Sequence, residues 1–596
     1  MHRLNTVNAL DYGLIALYFG VVIWVGFYSA KKNRGTRDFF RAGEDVPWFM
    51  AGISAWVTGF SAFMFIAAAG EIYRSGASAV LLFTCAFWAY LGGYFYFAAA
   101  WRRTRIAAPL EFLTRRFSGS TTYFYSVMFI PLGIVGIGSG LYTISLFVSS
   151  ALGLDREVFA LAGLSLSGLQ LCIVIIGAVM ILYTAMGGLW AAVLSDSIQS
   201  LIVLIMSLLL LPISLHYLGH GNIFAGLERM VRELPTDYLL PHTGGRGLWF
   251  IAAYIVFNFV LYNAGWHQAQ RYNSVPGERD SGRMAMLCAW LSLFGPLLWI
   301  LPVMTARLIF PDIAALWPNV HQPEEVAFVS LALLLLPHGM IGFVVAAIVS
   351  TALGKANDSF NWLSASVARD IYVPVRRKLG HSECADLHQM RVAQVTMVVL
   401  GILGMGVALY IANWGKGIFN FVLVASSLTD IPLYTPVLLG MMFRRTPWWS
   451  GIAASCAGLL ACLVLAGLGV WPQNSGYERN VFGGLLASTL TFFLSALWFR
   501  TDDPRNAEIL RLDADMRTPV VAPAGAAGYG ALPMYRVIGN ISIGLAAVMF
   551  LCWGLPSVST PSPGINALAG SLLLILGLVL RRVSRGTRPP AGGASS

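Results

Sequence analysis

Apolar residues in this chain come in long runs, broken by short polar and often basic joints. Fifteen runs stand near 10–30, 46–72, 77–100, 121–151, 160–186, 189–217, 247–268, 284–310, 338–368, 392–412, 418–443, 449–471, 481–499, 537–555 and 563–580. Each is near the ~20 residues a helix needs to cross a bilayer core, so about 15 transmembrane helices are predicted. The first run is followed by "YSAKKNRGTR" and not by a small-residue cleavage site, so it reads as a retained helix. The longest polar stretch is 500–533; its first half has an amphipathic helical pattern, and its Pro/Ala/Gly-rich second half reads as linker. The mixed basic and apolar loop 101–118 is expected along the membrane surface, and "GTRPPAGGASS" at the end is expected to be disordered. Two runs contain breakers: "GISAWVTGFSAF" (52–63) and "IPLGIVGIGSG" (130–140). Irregular backbone at membrane depth occurs where it lines a cavity or is buried in protein, while glycine also serves close helix packing. The cluster at 52–63 is the one read as a functional break.

Composition sharpens this picture. Of 596 residues, 57% are hydrophobic and 11% charged, against roughly a quarter charged in soluble domains. This is an all-α integral membrane protein. The net charge of +11 does not point to nucleic acid. With the N-terminus outside, twenty-nine of the 39 Lys and Arg fall in inner joints and nine on the outer side. That is the positive-inside bias, and it places the C-terminus in the cytoplasm of a cytoplasmic-membrane protein. The remaining cation is Lys355, in the middle of an apolar run. An unpaired charge there costs several kcal/mol, so a functional role is expected before a structural ion pair. The seven cysteines are scattered, with no disulfide framework and no metal-ligand spacing. No GxxxxGK[ST], HExxH or paired CxxC occurs, and no nucleophile–base set has plausible spacing, so the chain is not read as an enzyme and needs no cofactor.

"GGLWAAVLSDSIQ" (187–199) resembles the signature of the sodium/solute symporter family through Gly187, Gly188, Ala191, Val193, Asp196 and Gln199. The segments at 38–76, 357–372 and, more weakly, 434–449 also resemble that family in order and spacing, over about residues 10–500. The resemblance implies a LeuT-like fold, two inverted five-helix repeats plus additional helices. It divides the chain into an N-terminal helix and loop (1–45), a transporter core (46–443), added transmembrane helices (444–500), a cytoplasmic linker (501–535), two C-terminal transmembrane helices (536–583) and a tail (584–596). It also implies a sodium ion between the first broken helix and the ninth, held by carbonyls of the first and two adjacent hydroxyls of the second. On the broken helix the matching positions are Val57 and Phe60, with Ser61 beside them.

An ungapped match through Asn361 and Asp370 puts the two hydroxyl positions on Gly354 and Lys355. Glycine has no side-chain oxygen, and an ammonium has donors only. Lys355 is therefore expected to act as a tethered cation in place of sodium. Asp196 on the signature helix, next to Ser195, and Asp358 one turn from Lys355 would compensate its charge. A competing match with a four-residue insertion, about one turn, keeps Ala347, Ser350 and Thr351 as sodium ligands.

For the solute, Asn258, Tyr262 and Trp266 recur at i, i+4, i+8 and are expected to share a pocket-lining face. Asp430 reads either as a path-lining acid or as the cap of a break before Pro432. Glu71 and Arg74 read as a surface ion pair. Met64 stands where sugar-transporting relatives carry Gln, and Phe83 near where they carry an acid, which argues against a sugar and for a small organic acid or amphipathic metabolite. The expected function is a secondary transporter of a small solute in the lipid bilayer, without sodium; the alternatives are an ordinary sodium symporter and a membrane solute sensor.

Overall fold

The computed structural model describes residues 4–5, 7–30, 46–60, 64–106, 110–154, 157–161, 164–186, 189–240, 247–380, 386–414, 418–469, 476–521, 532–554 and 564–586. Within helices the description of some stretches, 57–60, 189–200 and 351–358 among them, is confined to the backbone.

The apolar runs fold as helices. The first is α1 (Ala9–Ala30). The run carrying the first breakers is split into α2 (Trp48–Phe60) and α3 (Ala67–Ser75). It is followed by α4 (Ala77–Arg103), short α5 (Glu111–Arg116) and α6 (Gly119–Ala151). The second set of breakers does not interrupt α6, which passes through Pro131. Its glycines serve packing: a Cβ on Gly138 would lie 2.6 Å from Val407, and one on Gly133 2.2 Å from Leu363. These are the close approaches that replace hydrophobic driving force between helices in lipid.

The predicted span at 160–186 starts late. Residues Val158–Leu161 (β1) and Leu164–Ser167 (β2) pair antiparallel, Val158 opposite Ser167. The alternation Leu164, Ser165, Leu166, Ser167 has the period of a strand, which explains the difference. Helices α7 (Gly168–Met186) and α8 (Leu189–Leu218) follow, and α9 (Ile223–Glu233) turns 75° away from the end of α8. Next come α10 (Leu248–Ala264) and α11 (Trp266–Ser274), bent by 44° at Gly265, then α12 (Glu278–Ile309), α13 (Ala327–Leu335) and α14 (Met340–Ser366). The chain continues through α15 (Asp386–Trp414), α16 (Ile418–Met442), α17 (Ser450–Gly467), α18 (Gly476–Ser495), polar α19 (Ala507–Arg517), α20 (Leu532–Gly554) and α21 (Gly564–Gly586). Among the described residues nine helices are long and apolar enough to cross a membrane, or eleven with the two bent pairs. The protein is multi-pass and helical, and the expected count of fifteen is not confirmed among the described residues. Short apolar segments at Ala9–Val21 and Gly168–Ile181 make up part of the difference.

Two polar devices fix the arrangement. Asp11 of α1 is fully buried and caps α14 from outside: Oδ1 accepts from the backbone N–H of Gly339 (2.6 Å) and Gly342 (2.9 Å), and Oδ2 lies 3.0 Å from His338 Nδ1. A helix start has unsatisfied donors and a positive dipole end, and a carboxylate answers both. At the chain's other polar segment, α19 buries Ile509, Leu512 and Met516 and sets its acids against arginines of α5 and of the joint after α16. Asp513 pairs with Arg444 and Arg517, Asp515 with Arg115 of α5 (2.5 Å), and Val520 N–H donates to Glu278 (2.6 Å), which also holds Arg103 of α4 (2.8 Å). Beside it, the fully buried Arg116 donates to the carbonyls of Gly440 (2.9 Å) and Phe443 (2.7 Å), closing the C-terminal end of α16.

Candidate functional site

Helix α2, which ends before the interruption of the second apolar run, packs with α8 and α14, and these two pack with each other. These are the elements that carry the expected ion-site residues. Val57 and Phe60 are in the last turns of α2; Ser195 and Asp196 are in α8; Ala347, Ser350, Thr351, Gly354, Lys355 and Asp358 are all in the uninterrupted helix α14. Their side chains lie outside the described residues, as does the whole of Ser61. The convergence is thus one of helices. Beside it an apolar cleft is lined by Phe65, Val203, Met206, Ser207, Phe328, Val344 and Ile348. Met64, half-buried at the start of the continuing chain, fits this apolar surrounding, and Phe83 is buried in α4.

The expected stripe of Asn258, Tyr262 and Trp266 does not form. Helix α10 ends at Ala264, so the bend at Gly265 turns Trp266 out of register with the other two. Asn258 donates to the carbonyl of Tyr254 in its own helix (2.8 Å), and Tyr262 packs on Tyr90 of α4 (centroids 4.9 Å apart). Trp266 instead joins an aromatic group drawn from four helices. Phe129 of α6 stands 6.0 Å from Trp266, 5.7 Å from Trp362 of α14 and 5.2 Å from Tyr434 of α16, and Trp266 is 5.9 Å from Tyr434. The Trp266 side chain is 2% exposed, and its indole N–H has no acceptor among the described residues. Tyr125 braces the group: its hydroxyl donates to the carbonyl of Leu433 (2.9 Å) and lies 2.7 Å from Ser455 Oγ.

Asp430 is one turn from Tyr434 on α16, 7% exposed and hydrogen-bonded to Ser426. The helix continues through Pro432, so Asp430 caps no break. Among the described residues no cation pairs with it. Phe129, Trp362 and Tyr434 were absent from the expected site because each sits on a different helix and reads locally as core. The one sequence hint was Tyr434 inside the weak match at 434–449.

Two other expectations change. Glu71 and Arg74 do not form a surface pair: Glu71 is buried and accepts from Ser75 Oγ (2.7 Å), while Arg74 pairs with Glu324 (3.1 Å) and Gln322. Arg271 of α11, an inner-joint cation by sequence, is buried in protein: it is 1% exposed and donates to Ser54 Oγ on α2 (3.1 Å).

The split of one apolar run into α2 and α3, the packing of α2 with α8 and α14, the bend at Gly265 and the buried aromatic centre describe a multi-pass helical membrane protein. The model of the "sodium:solute symporter family" matches residues 39–457, and the chain belongs to that family. "Solute carrier family 5 member 4B" of Mus musculus is 24% identical over 543 residues, covering 82% of this chain and 78% of the relative. "Sodium/myo-inositol cotransporter 2" of Sus scrofa is also 24% identical, covering 85% and 79%. Among solved structures, a sodium-coupled sialic acid symporter in a substrate-bound outward-open state superposes with a TM-score of 0.69 at 20% identity, over 83% of this chain and 98% of that one. The architecture is accordingly LeuT-like, and the chain is a symporter-type transporter rather than an enzyme.

Proposed function

We propose that the protein moves a small organic solute across the cytoplasmic membrane by alternating access, with the ammonium of Lys355 in place of a sodium ion. The N-terminus is outside and the C-terminus inside, as the basic bias of the joints requires. The observation that supports this reading is the mutual packing of α2, α8 and α14, the helices that carry Val57, Asp196 and Lys355. A hard cation needs oxygen ligands, and at the ungapped positions this chain offers Gly354 and Lys355. The substitution supplies a fixed positive charge, and Asp196 and Asp358 balance it.

A second reading is ordinary sodium symport through Ala347, Ser350, Thr351 and Asp196. The names of the relatives, which are sodium cotransporters, favour it. Thermal unfolding and binding of radioactive sodium by the purified full chain separate the two. Under the first reading sodium leaves the parent's unfolding temperature unchanged, and Lys355→Ser acquires sodium binding. Clear stabilisation of the parent by sodium, lost in Ser350→Ala, would replace the first reading with the second.

A further inference from the structure

Helix α9 sorts its residues onto three sides. Gly226 and Met230 face the protein: a Cβ on Gly226 would lie 1.9 Å from the carbonyl oxygen of Leu215 in α8, and Met230 is buried. Ile223, Phe224, Leu227 and Val231 make a second side, apolar and open. Phe224 is 82% exposed, Val231 56%, and Ile223 and Leu227 42% each. Glu228, Arg229, Arg232 and Glu233 make the third. At ~100° per residue the open apolar side covers an arc of roughly 100°, and the charges take the opposite one. A helix along the flank of a protein at a water boundary has these three neighbours: protein, an apolar medium and water.

The chain also sets the direction of α9. His220 (φ 49°) and Gly221 (φ 108°) turn the backbone after α8, and Asn222 Oδ1 caps the new helix by accepting from the N–H of Phe224 (2.9 Å) and Ala225 (3.3 Å). The turn is 75°. If α8 has the usual ~20° tilt of a crossing helix, α9 lies within roughly 35° of the bilayer plane. Its level is marked by exposed Tyr217 at the end of α8 and exposed Trp249 at the start of α10, since Tyr and Trp gather at the membrane interface. The far end is fixed too. A few residues past α9, Tyr238 donates its hydroxyl to the carbonyl of Ile72 in α3 (2.7 Å). Its backbone fills the space at Gly76 (φ 56°), where a Cβ would lie 2.2 Å from the Tyr238 carbonyl oxygen.

We infer that α9 is a bilayer-surface helix: Ile223, Phe224, Leu227 and Val231 enter the boundary between lipid headgroups and acyl chains, and Glu228 and Arg232 stay in water. With the orientation proposed above this is the outer leaflet; the contact itself does not depend on which solute or ion is moved. Two acids and two arginines on α9 cancel, and Arg229 is already held by Glu233 (2.7 Å) and the Leu218 carbonyl (3.1 Å). Apolar burial therefore drives the contact, and neutral lipid suffices. Through Tyr238 this surface contact is joined to the far end of α3.

The test uses the full chain in phosphatidylcholine nanodiscs, with Cys384 and Cys456 replaced by serine and the dye NBD on one introduced cysteine at a time. Dye at Phe224→Cys, Leu227→Cys or Val231→Cys is expected to be quenched several-fold more by lipid with a nitroxide near the headgroup than by lipid with the nitroxide deep in the acyl chain, and to be shielded from aqueous iodide. Glu228→Cys and Arg232→Cys should be quenched by iodide and little by either lipid. Adding anionic phosphatidylglycerol should change none of this. Photo-cross-linking of the unsubstituted chain gives a second reading: phosphatidylcholine with a diazirine at the headgroup boundary should mark 223–231 as well as Trp249. Equal iodide quenching at every labelled position, or cross-links at Trp249 with none in α9, overturns the inference, because the helix then stands in water. Shielding of the apolar side from iodide and lipid alike overturns it in favour of a covering protein, a second copy included. Stronger quenching by the deep nitroxide overturns it in favour of a helix inserted across the bilayer, and lipid contact that appears only with phosphatidylglycerol overturns it in favour of attraction to the arginines.

Discussion

Asp11 carries a carboxylate with no exposure, yet it was invisible as a functional position because its partners are backbone N–H groups more than three hundred residues away. The start of α14 has a glycine, Gly339 at φ 86°, where a capping side chain would ordinarily stand. The cap is therefore supplied by another helix. Replacing a cap costs ~0.5–2 kcal/mol, and this one is fully enclosed. Asp11→Ala is expected to lower the unfolding temperature by several degrees, with Asp11→Asn intermediate since it retains an acceptor. An unchanged melting curve for Asp11→Ala would mean that α1 does not hold α14. The same contrast explains what could be read beforehand at the site. Lys355 announces itself because a charge inside an apolar run is unexpected wherever its partners lie. Phe129, Trp362 and Tyr434 are aromatic residues in apolar runs, and only three-dimensional proximity to Trp266 distinguishes them from core.

At the level of elements, runs of some twenty apolar residues were legible because bilayer thickness sets their length. Breaks were not, since glycine both breaks and packs. The clusters at 52–63 and 130–140 look alike in sequence, but the second lies in an unbroken α6 whose glycines meet Val407 and Leu363. Amphipathic α19 was legible from its pattern, whereas its role as a strap needed the positions of Arg103, Arg115 and Arg444. Burial opposes ionisation of Asp513, but hydrogen bonds from Arg444 and Arg517 outweigh it and hold its carboxyl below the usual carboxylate range. A depressed value means that the contribution is complete above the unfolded value of ~3.9 and is lost as pH falls through the lower folded value. Docking of the strap should thus survive mild acid and fail only in strong acid. Partly exposed pairs are worth ~0.2–1 kcal/mol each, so several must be removed together. Asp513→Asn combined with Asp515→Asn is expected to speed trypsin cleavage within 500–521 several-fold at neutral pH, and high salt should do the same to the parent. Equal cleavage rates in variant and parent would show that Ile509, Leu512 and Met516 alone hold the strap.

For the molecule as a whole, alternating access needs groups of helices that move as bodies. Helices α2, α4, α11 and α12 are tied by buried polar contacts: Arg271 to Ser54, Gln268 to Tyr90 (2.7 Å), and Cys288 Sγ to the carbonyl of Gly52 (3.2 Å). The opposing pair α6 and α15 is locked by Gly138 against Val407. Between the groups lies the aromatic seam, where Phe129 of one meets Trp266 of the other through dispersion alone. Aromatic contacts re-form after sliding at little cost, whereas breaking a buried hydrogen bond leaves both partners unsatisfied. Motion is therefore expected at the seam and not inside either group. Maleimide labelling in nanodiscs gives the measurement. Cys85 and Cys288, both buried, should remain unmodified. A cysteine introduced by Phe129→Cys should react measurably faster than either. Labelling of Cys288 as fast as that of the seam cysteine would mean that α2 and α12 separate during the cycle, and that the polar ties between them do not hold the group together.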